Sequence, residues 1–356
     1  MCYEPDHRFV AVPSTVIEPY GDLTDPITLA PVDAVTLTTL VDNNTDLLLT
    51  DQGPVHRYSL LSAAAGARLP TTVLDTDAYD VPLAENGFSM LVTVSRAGRE
   101  HHLLFDAGMT PDGLCGNMRR LDLSPSDIEL VVLSHGHTDH ITGLDGFIRA
   151  VGPANVPLVV HPAVFSKRRI AIPGLLEFEF PTLSRTALRE SGVDVIERRQ
   201  PSLLLDDSVL ITGEVDRTSD FELGMPFHEA LTDGGWTPDP LILDDQALIV
   251  HVAGHGLVVL TGCGHAGIVN IVRYARRLTG IDRVAAVVGG FHLASPASEP
   301  IIAPTVAALV DIGAEAVIPA HCTGWRAAQA IATAMPHAYI PSSVGSRLEL
   351  RNGQTA

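Results

Sequence analysis

An α/β fold is predicted by three features of the sequence. Short apolar and β-branched runs such as 129–133, 257–260 and 283–288 have the length and composition of buried strands. These runs lead into turns rich in glycine and histidine, and helical patterns follow, as at 143–151 and 267–278. In the second of these helices Ile268, Ile271, Val272 and Ala275 share one face, with Arg273, Arg276 and Arg277 away from it. The third feature is composition: 356 residues, 46% hydrophobic and 18% charged, suffice for one large core with insertions or for two modest domains.

Residues 1–31 carry Pro5, Pro13, Pro19, Pro26 and Pro31, which break helices and most strands, so they read as a Pro-rich N-terminal extension ahead of a folded domain at 32–356. The run 34–40 is the first core strand. It ends at Asn43-Asn44, either a polar tip bordering a cleft or a turn whose Asn side chains bond their own backbone. Strands at 89–94 and 102–105 flank Arg96-Ala97-Gly98-Arg99 as a hairpin, in which His101 and His102 are ordinary strand residues. The strand 156–160 ends at His161, which either approaches the cleft or caps a helix start. An insertion around 162–240 is looser, with a helix at 183–190 and strands at 193–196 and 208–212. Its basic run Lys167-Arg168-Arg169 is either a solvated face or an anion clamp. Strands at 246–252 and 316–319 and a helix carrying Ile302, Val306, Leu309 and Val310 complete the pattern.

The densest chemistry lies in 129–144, ELVVLSHGHTDHITGL. His135, His137, Asp139 and His140 place three imidazoles and a carboxylate within six positions, between a strand end and a helix start. Residues two apart in an extended turn project to the same side, so His135 and His137 can bind one ion, while Asp139 and His140 reach a second about 3.5–4 Å away. Two ions sharing a water generate hydroxide near neutral pH. His265 sits at a similar strand-to-helix turn and is a further ligand candidate. His292 and His321 both lie just past strand ends beside glycine, where side chains can enter a cleft.

His135, His137, Asp139 and His140 match the H-x-H-x-D-H signature, and here the chain resembles the metallo-β-lactamase superfamily. The resemblance implies an αββα sandwich: two mixed sheets face to face, helices outside and a metal cleft along one sheet edge. It implies that His135, His137 and His265 hold one ion and Asp139, His140 and His321 the other, with Asp106 supporting the histidines from behind. It assigns catalytic duty to Asp139 and contact with the substrate or transition state to His292. The cofactors are then two divalent metal ions, zinc foremost, with manganese or iron also compatible. The later runs Thr261-Gly262-Cys263-Gly264-His265, Gly289-Gly290-Phe291-His292-Leu293 and His321-Cys322-Thr323-Gly324, with Gly213-Glu214 and Asp244-Asp245-Gln246, resemble the subfamily named for the dihydropterin ribofuranosylaminobenzene phosphate synthase. Two positions depart from the pattern. Cys263 stands where many superfamily members have a bridging aspartate, so it is either a softer ligand or no ligand, and Ala84-Glu85-Asn86-Gly87 replaces Glu-His-Gly.

The net charge of −19 excludes nucleic acid and anionic membranes as partners and favours a small-molecule substrate, phosphorylated or pterin-like. Cys2, Cys115, Cys263 and Cys322 are scattered without C-x-x-C pairing, as in reduced cytosolic proteins, and the start lacks a signal-peptide pattern, so a cytoplasmic location is expected. Three functions compete. The first is a metal-dependent hydrolase using a metal-bound hydroxide on a small ester, lactone or phosphoester. The second is a dihydropterin-type transferase, in which an aromatic ring attacks the pterin methylene and pyrophosphate leaves. The third is a non-catalytic metal or small-ligand binding protein. The sequence leaves the oligomeric state open.

Overall fold

The computed structural model describes residues 25–152 and 155–353; Cys2 and most of the Pro-rich extension lie outside them. Two large sheets stack face to face. The first has eight strands in the order Val193–Glu197, Val156–Val160, Leu130–Val132, Arg99–Phe105, Ser89–Arg96, Ala34–Val41, Arg347–Arg351 and Val55–His56. The second has six: Ser202–Leu204, Val209–Ile211, Ala247–Val252, Gly256–Thr261, Val284–Gly290 and Ala316–Ala320. Both are mixed. Parallel pairing joins Arg99–Phe105 through Leu130–Val132 to Val193–Glu197, and Gly256–Thr261 through Val284–Gly290 to Ala316–Ala320.

Period-two alternation sorts the side chains into layers. Val35, Leu37, Met90, Val92, Leu103 and Phe105 from the first sheet meet Leu248, Val250, Val258, Leu260 and Val288 from the second in a central core. The opposite faces are just as apolar, because helices cover them. Leu91, Leu104, Val131 and Leu158 pack under Gly113–Arg120 and Leu144–Val151. Ile249, Val259, Val287 and Val317 pack under Ile268–Thr279, Glu299–Ile312 and Trp325–Ala334. The arrangement is the expected αββα sandwich.

The proposed boundary at residue 31 cuts through packed structure: Ile27 and Leu29 are buried against the helix layer of the second sheet, and Ile27 N donates to Leu278 O at 2.7 Å. The region around 162–240 divides. Its segments Val193–Glu197, Ser202–Leu204 and Val209–Ile211 join the large sheets, whereas Arg168–Ile172, Leu176–Glu179, His228–Thr232 and Gly235–Pro238 form a separate four-stranded sheet. The anion-clamp reading of Lys167-Arg168-Arg169 does not hold for its two arginines. Arg168 is buried, pairing with Asp239 at 2.8 Å and Asp244 at 2.7 Å, and Arg169 pairs with Glu229 at 2.8 Å, so their charges are already met. His161 takes the capping alternative: its Nδ1 accepts from Ala163 N at 3.1 Å and its Nε2 meets Glu214 at 3.0 Å.

Candidate metal centre

The carboxyl ends of strands from both sheets meet at one edge of the sandwich, and the chemistry of the chain collects there. Leu130–Val132 delivers His135, His137, Asp139 and His140; Gly256–Thr261 delivers Cys263 and His265; Val284–Gly290 delivers His292; Ala316–Ala320 delivers His321 and Cys322. Residues far apart in sequence become neighbours.

His135 Nε2, His137 Nδ1 and His265 Nε2 form a triangle with sides of 3.0, 3.1 and 3.2 Å. Nitrogen ligands about 2.0–2.1 Å from a tetrahedral ion stand about 3.3 Å apart, so this triangle fits one metal with little movement. Asp139, His140 and His321 form the neighbouring group: His321 Nε2 lies 3.2 Å from Asp139 Oδ2, and His140 Nε2 lies 3.8 Å from Asp139 Oδ1. Cys263 Sγ is 3.2 Å from His140 Nε2 and falls within reach of both groups.

Hydrogen bonds behind His135, His140 and His321 fix which of their nitrogens faces inward. Ser134 Oγ donates to Asp106 Oδ2 at 2.7 Å and therefore accepts from His135 Nδ1 at 2.9 Å, leaving the Nε2 lone pair inward. Asp106 Oδ2 accepts from His140 Nδ1 at 2.7 Å with the same result. Asn43 Oδ1 accepts from Gly87 N at 3.2 Å and from His321 Nδ1 at 2.9 Å, so Asn43 borders the cleft in a supporting role. Asp42 Oδ1 accepts from His321 N at 2.8 Å. Asn86, one of the two departures, contacts Asn43 at 3.3 Å and so lies one residue behind His321.

The electrostatics suit a cation. Burial, then neighbouring histidines, holds His135, His137 and His265 well below the ordinary histidine range, which keeps them neutral as metal binding requires. For His140 burial acts in the same direction, but the Asp106 and Asp139 carboxylates outweigh it and push the group up to about 9. Asp139 is held well below the usual carboxylate range: burial opposes ionisation, and His140 and His321 overcome it. Burial and the Cys322 thiol push Cys263 up.

Several contributors lay hidden in the sequence. His228, on the small sheet, stands 5.5 Å from His137 ring to ring, and Phe180 stacks on His137 at 4.6 Å. The Asp-Asp-Gln run stood out as a motif, and its role is mechanical. Asp244 accepts from Gly136 N at 2.8 Å, Asp245 from Ala266 N at 2.9 Å, and Gln246 Nε2 donates to Leu133 O at 2.8 Å. Together they clamp the two loops that carry the nitrogen triangle. His292 lies beside His265, rings 4.2 Å apart, in the wall of a 110 Å³ cavity. His101 and His102 stay within their strand, bonded to Glu129 and Thr93.

The family model for the metallo-beta-lactamase superfamily matches residues 84–276, just over half of the chain. The chain belongs to that superfamily. Among curated proteins this superfamily member is 30% identical over 270 residues to the 7,8-dihydropterin-6-methyl-4-(beta-D-ribofuranosyl)-aminobenzene-5'-phosphate synthase of Methanocaldococcus jannaschii, covering 73% of this chain and 88% of that protein. It is 27% identical over 263 residues to the uncharacterized protein MJ0448 of the same organism, covering 72% and 90%. Among solved structures it is similar to Tm1679, described as a metal-dependent hydrolase of the beta-lactamase superfamily, with a TM-score of 0.65, 23% identity, and coverage of 89% of this chain and all of that one. The first relative supports the dihydropterin synthase subfamily; the last shows the metallo-beta-lactamase fold.

Proposed function

We propose that this metallo-beta-lactamase superfamily member is a metal-dependent hydrolase of a small ester, lactone or phosphoester, working at a centre of two divalent ions, zinc foremost. The observation that carries this reading is the pairing of two convergent donor sets: the nitrogen triangle of His135, His137 and His265, and the neighbouring group of Asp139, His140 and His321. When bound, such ions polarise a scissile group and bring the pKa of a coordinated water to about 7. The chain's residues do the rest. Asp106, Ser134 and Asn43 hold the His135, His140 and His321 imidazoles in the tautomers that point lone pairs inward. The Asp139 side chain is 22% exposed, against 0% for His140 and 1% for His321, and is the group proposed to orient the incoming nucleophile. His292, in the cavity wall beside His265, is proposed to contact the substrate.

A second reading, a dihydropterin-type transferase, is favoured by the 30% identity to the methanogen synthase across most of both chains. One experiment separates the two. Metal-reconstituted protein is assayed on a panel of lactones and phosphoesters, and in parallel on a dihydropterin pyrophosphate with an aminobenzene acceptor. Metal-dependent turnover of the panel supports the hydrolase, whereas acceptor-dependent pyrophosphate release replaces it with the transferase. Inertness in both arms defeats both readings.

A further inference from the structure

Three adjacent parallel strands each place one more donor on the same flank of the centre. Cys263 follows Gly256–Thr261, His292 follows Val284–Gly290, and Cys322 lies in the turn after Ala316–Ala320. The two sulfurs and one ring nitrogen of His292 all lie within 4.8 Å of one another. The structure goes to some length to hold them there. His292 has φ of 46°, a left-handed backbone that histidine adopts at a cost in strain. Its carbonyl is tied down by Ser298 Oγ at 3.0 Å, and the Cys322 carbonyl accepts from Leu293 N and Ala294 N, both at 3.2 Å. Gly290 makes the room: a Cβ there would stand 2.6 Å from Cys322 Sγ. His292 Nδ1 is buried without a hydrogen-bond partner, and neither the nitrogen triangle nor the Asp139 group uses it.

We propose that Cys263, His292 and Cys322 form a third cation position, sulfur-rich and selective for a thiophilic ion such as Zn²⁺ or Co²⁺. Two thiolates and one neutral imidazole balance a divalent charge, so the filled position is electrically neutral where burial penalises net charge. Metal–sulfur bonds of about 2.3 Å and metal–nitrogen bonds of about 2.0–2.1 Å need donors roughly 3.3–3.8 Å apart, and small side-chain rotations achieve that from the observed spread. Thiolates prefer softer ions than the carboxylate-containing group nearby does, so the two positions differ in selectivity. Cys263, within reach of all three groups, is the shared corner. With three protein donors the position keeps one coordination site open to an outside ligand. The proposal depends on neither the hydrolase nor the transferase reading, and a filled position replaces the substrate contact proposed above for His292.

The test is cobalt titration of the full-length, metal-stripped protein under reducing, oxygen-free conditions, read by thiolate-to-cobalt charge-transfer absorption. The wild type is expected to show the band. Cys322→Ser should lower it by half or more, and His292→Ala should shift its midpoint to higher cobalt. His137→Ala should bind less cobalt in total yet keep the band, which separates this position from the nitrogen triangle. A band unchanged in both Cys322→Ser and His292→Ala would mean that Cys263 alone ligates, and no band in the wild type would mean no thiolate ligation; either overturns the proposal. Cadmium NMR on the unaltered protein checks the same point without a variant: a shift typical of two sulfur ligands supports it, and a shift typical of nitrogen and oxygen ligands overturns it.

Discussion

Asp106 is buried in a left-handed conformation with φ of 60°, and its two oxygens take three donors: Ser134 N, Ser134 Oγ and His140 Nδ1. An amide in its place cannot accept all three, so Asp106→Asn should weaken metal binding about 10–100-fold while leaving the fold intact, as competition with a chromophoric chelator would show. His137→Ala should lower metal content by elemental analysis with an unchanged circular dichroism spectrum; unchanged content would remove His137 from the ligand set. Glu222 yields a pH prediction. Burial pushes its carboxyl up to about 6 from 4.5, even though Val269 N and Asn270 N both donate to it at 2.9 Å. Between those values the folded form holds a proton that the unfolded form has lost, so stability is full below pH 4.5 and falls as pH rises through 6. Glu222→Gln should remove about 2 kcal/mol of that slope, measured by urea unfolding at pH 4.5 and 7. The ligand candidates were legible because four of them crowd six positions. Ser134 and His228 were not, since a serine before a histidine and a lone strand histidine look ordinary until the tertiary fold sets them beside the centre.

Each element that carries a ligand is itself held by a specific close approach. At Gly262 the approach is to the support of the centre itself: a Cβ there would stand 2.1 Å from Ser134 Oγ and 2.5 Å from Asp106 Oδ2. Gly262→Ala should therefore displace the support behind His135 and His140 together, costing about 1–3 kcal/mol in thermal or urea unfolding and weakening metal binding as well. Arg168 ties the small sheet to the ligand loop, because Asp244 receives both its guanidinium and Gly136 N. Arg168→Met leaves a buried carboxylate unmatched and should destabilise by about 3–5 kcal/mol. The core strands and the helix Ile268–Thr279 were readable from periodicity. The small sheet was not, since its strand Leu176–Glu179 is exposed throughout and lacks a buried stripe. Gly113–Arg120 escaped because two glycines dilute its helical signal, and Arg347–Arg351 because it is short and mostly charged.

At the scale of the molecule, the sandwich follows from the alternation of apolar residues on both faces of both sheets, together with helices that are amphipathic enough to close the outer ones. The sheet order did not follow from local patterns, because the pairing of Arg347–Arg351 with Ala34–Val41 joins the two ends of the described chain. The donor groups also divide between the two halves. His135, His137, Asp139 and His140 belong to the first sheet, while Cys263, His265, His292, His321 and Cys322 belong to the second. A cation shared across that divide would act as a clasp, fastening one rim of the sandwich while the rest stays held by its core. Such a clasp adds about 2.7 kcal/mol at a free concentration one hundred times its dissociation constant. Amides in the loops around residues 135 and 265 would then slow their hydrogen exchange in step as metal is added, and a chelator would release them together. A rim fastened and loosened in this way would make metal supply a control on how firmly the protein's two halves stay shut.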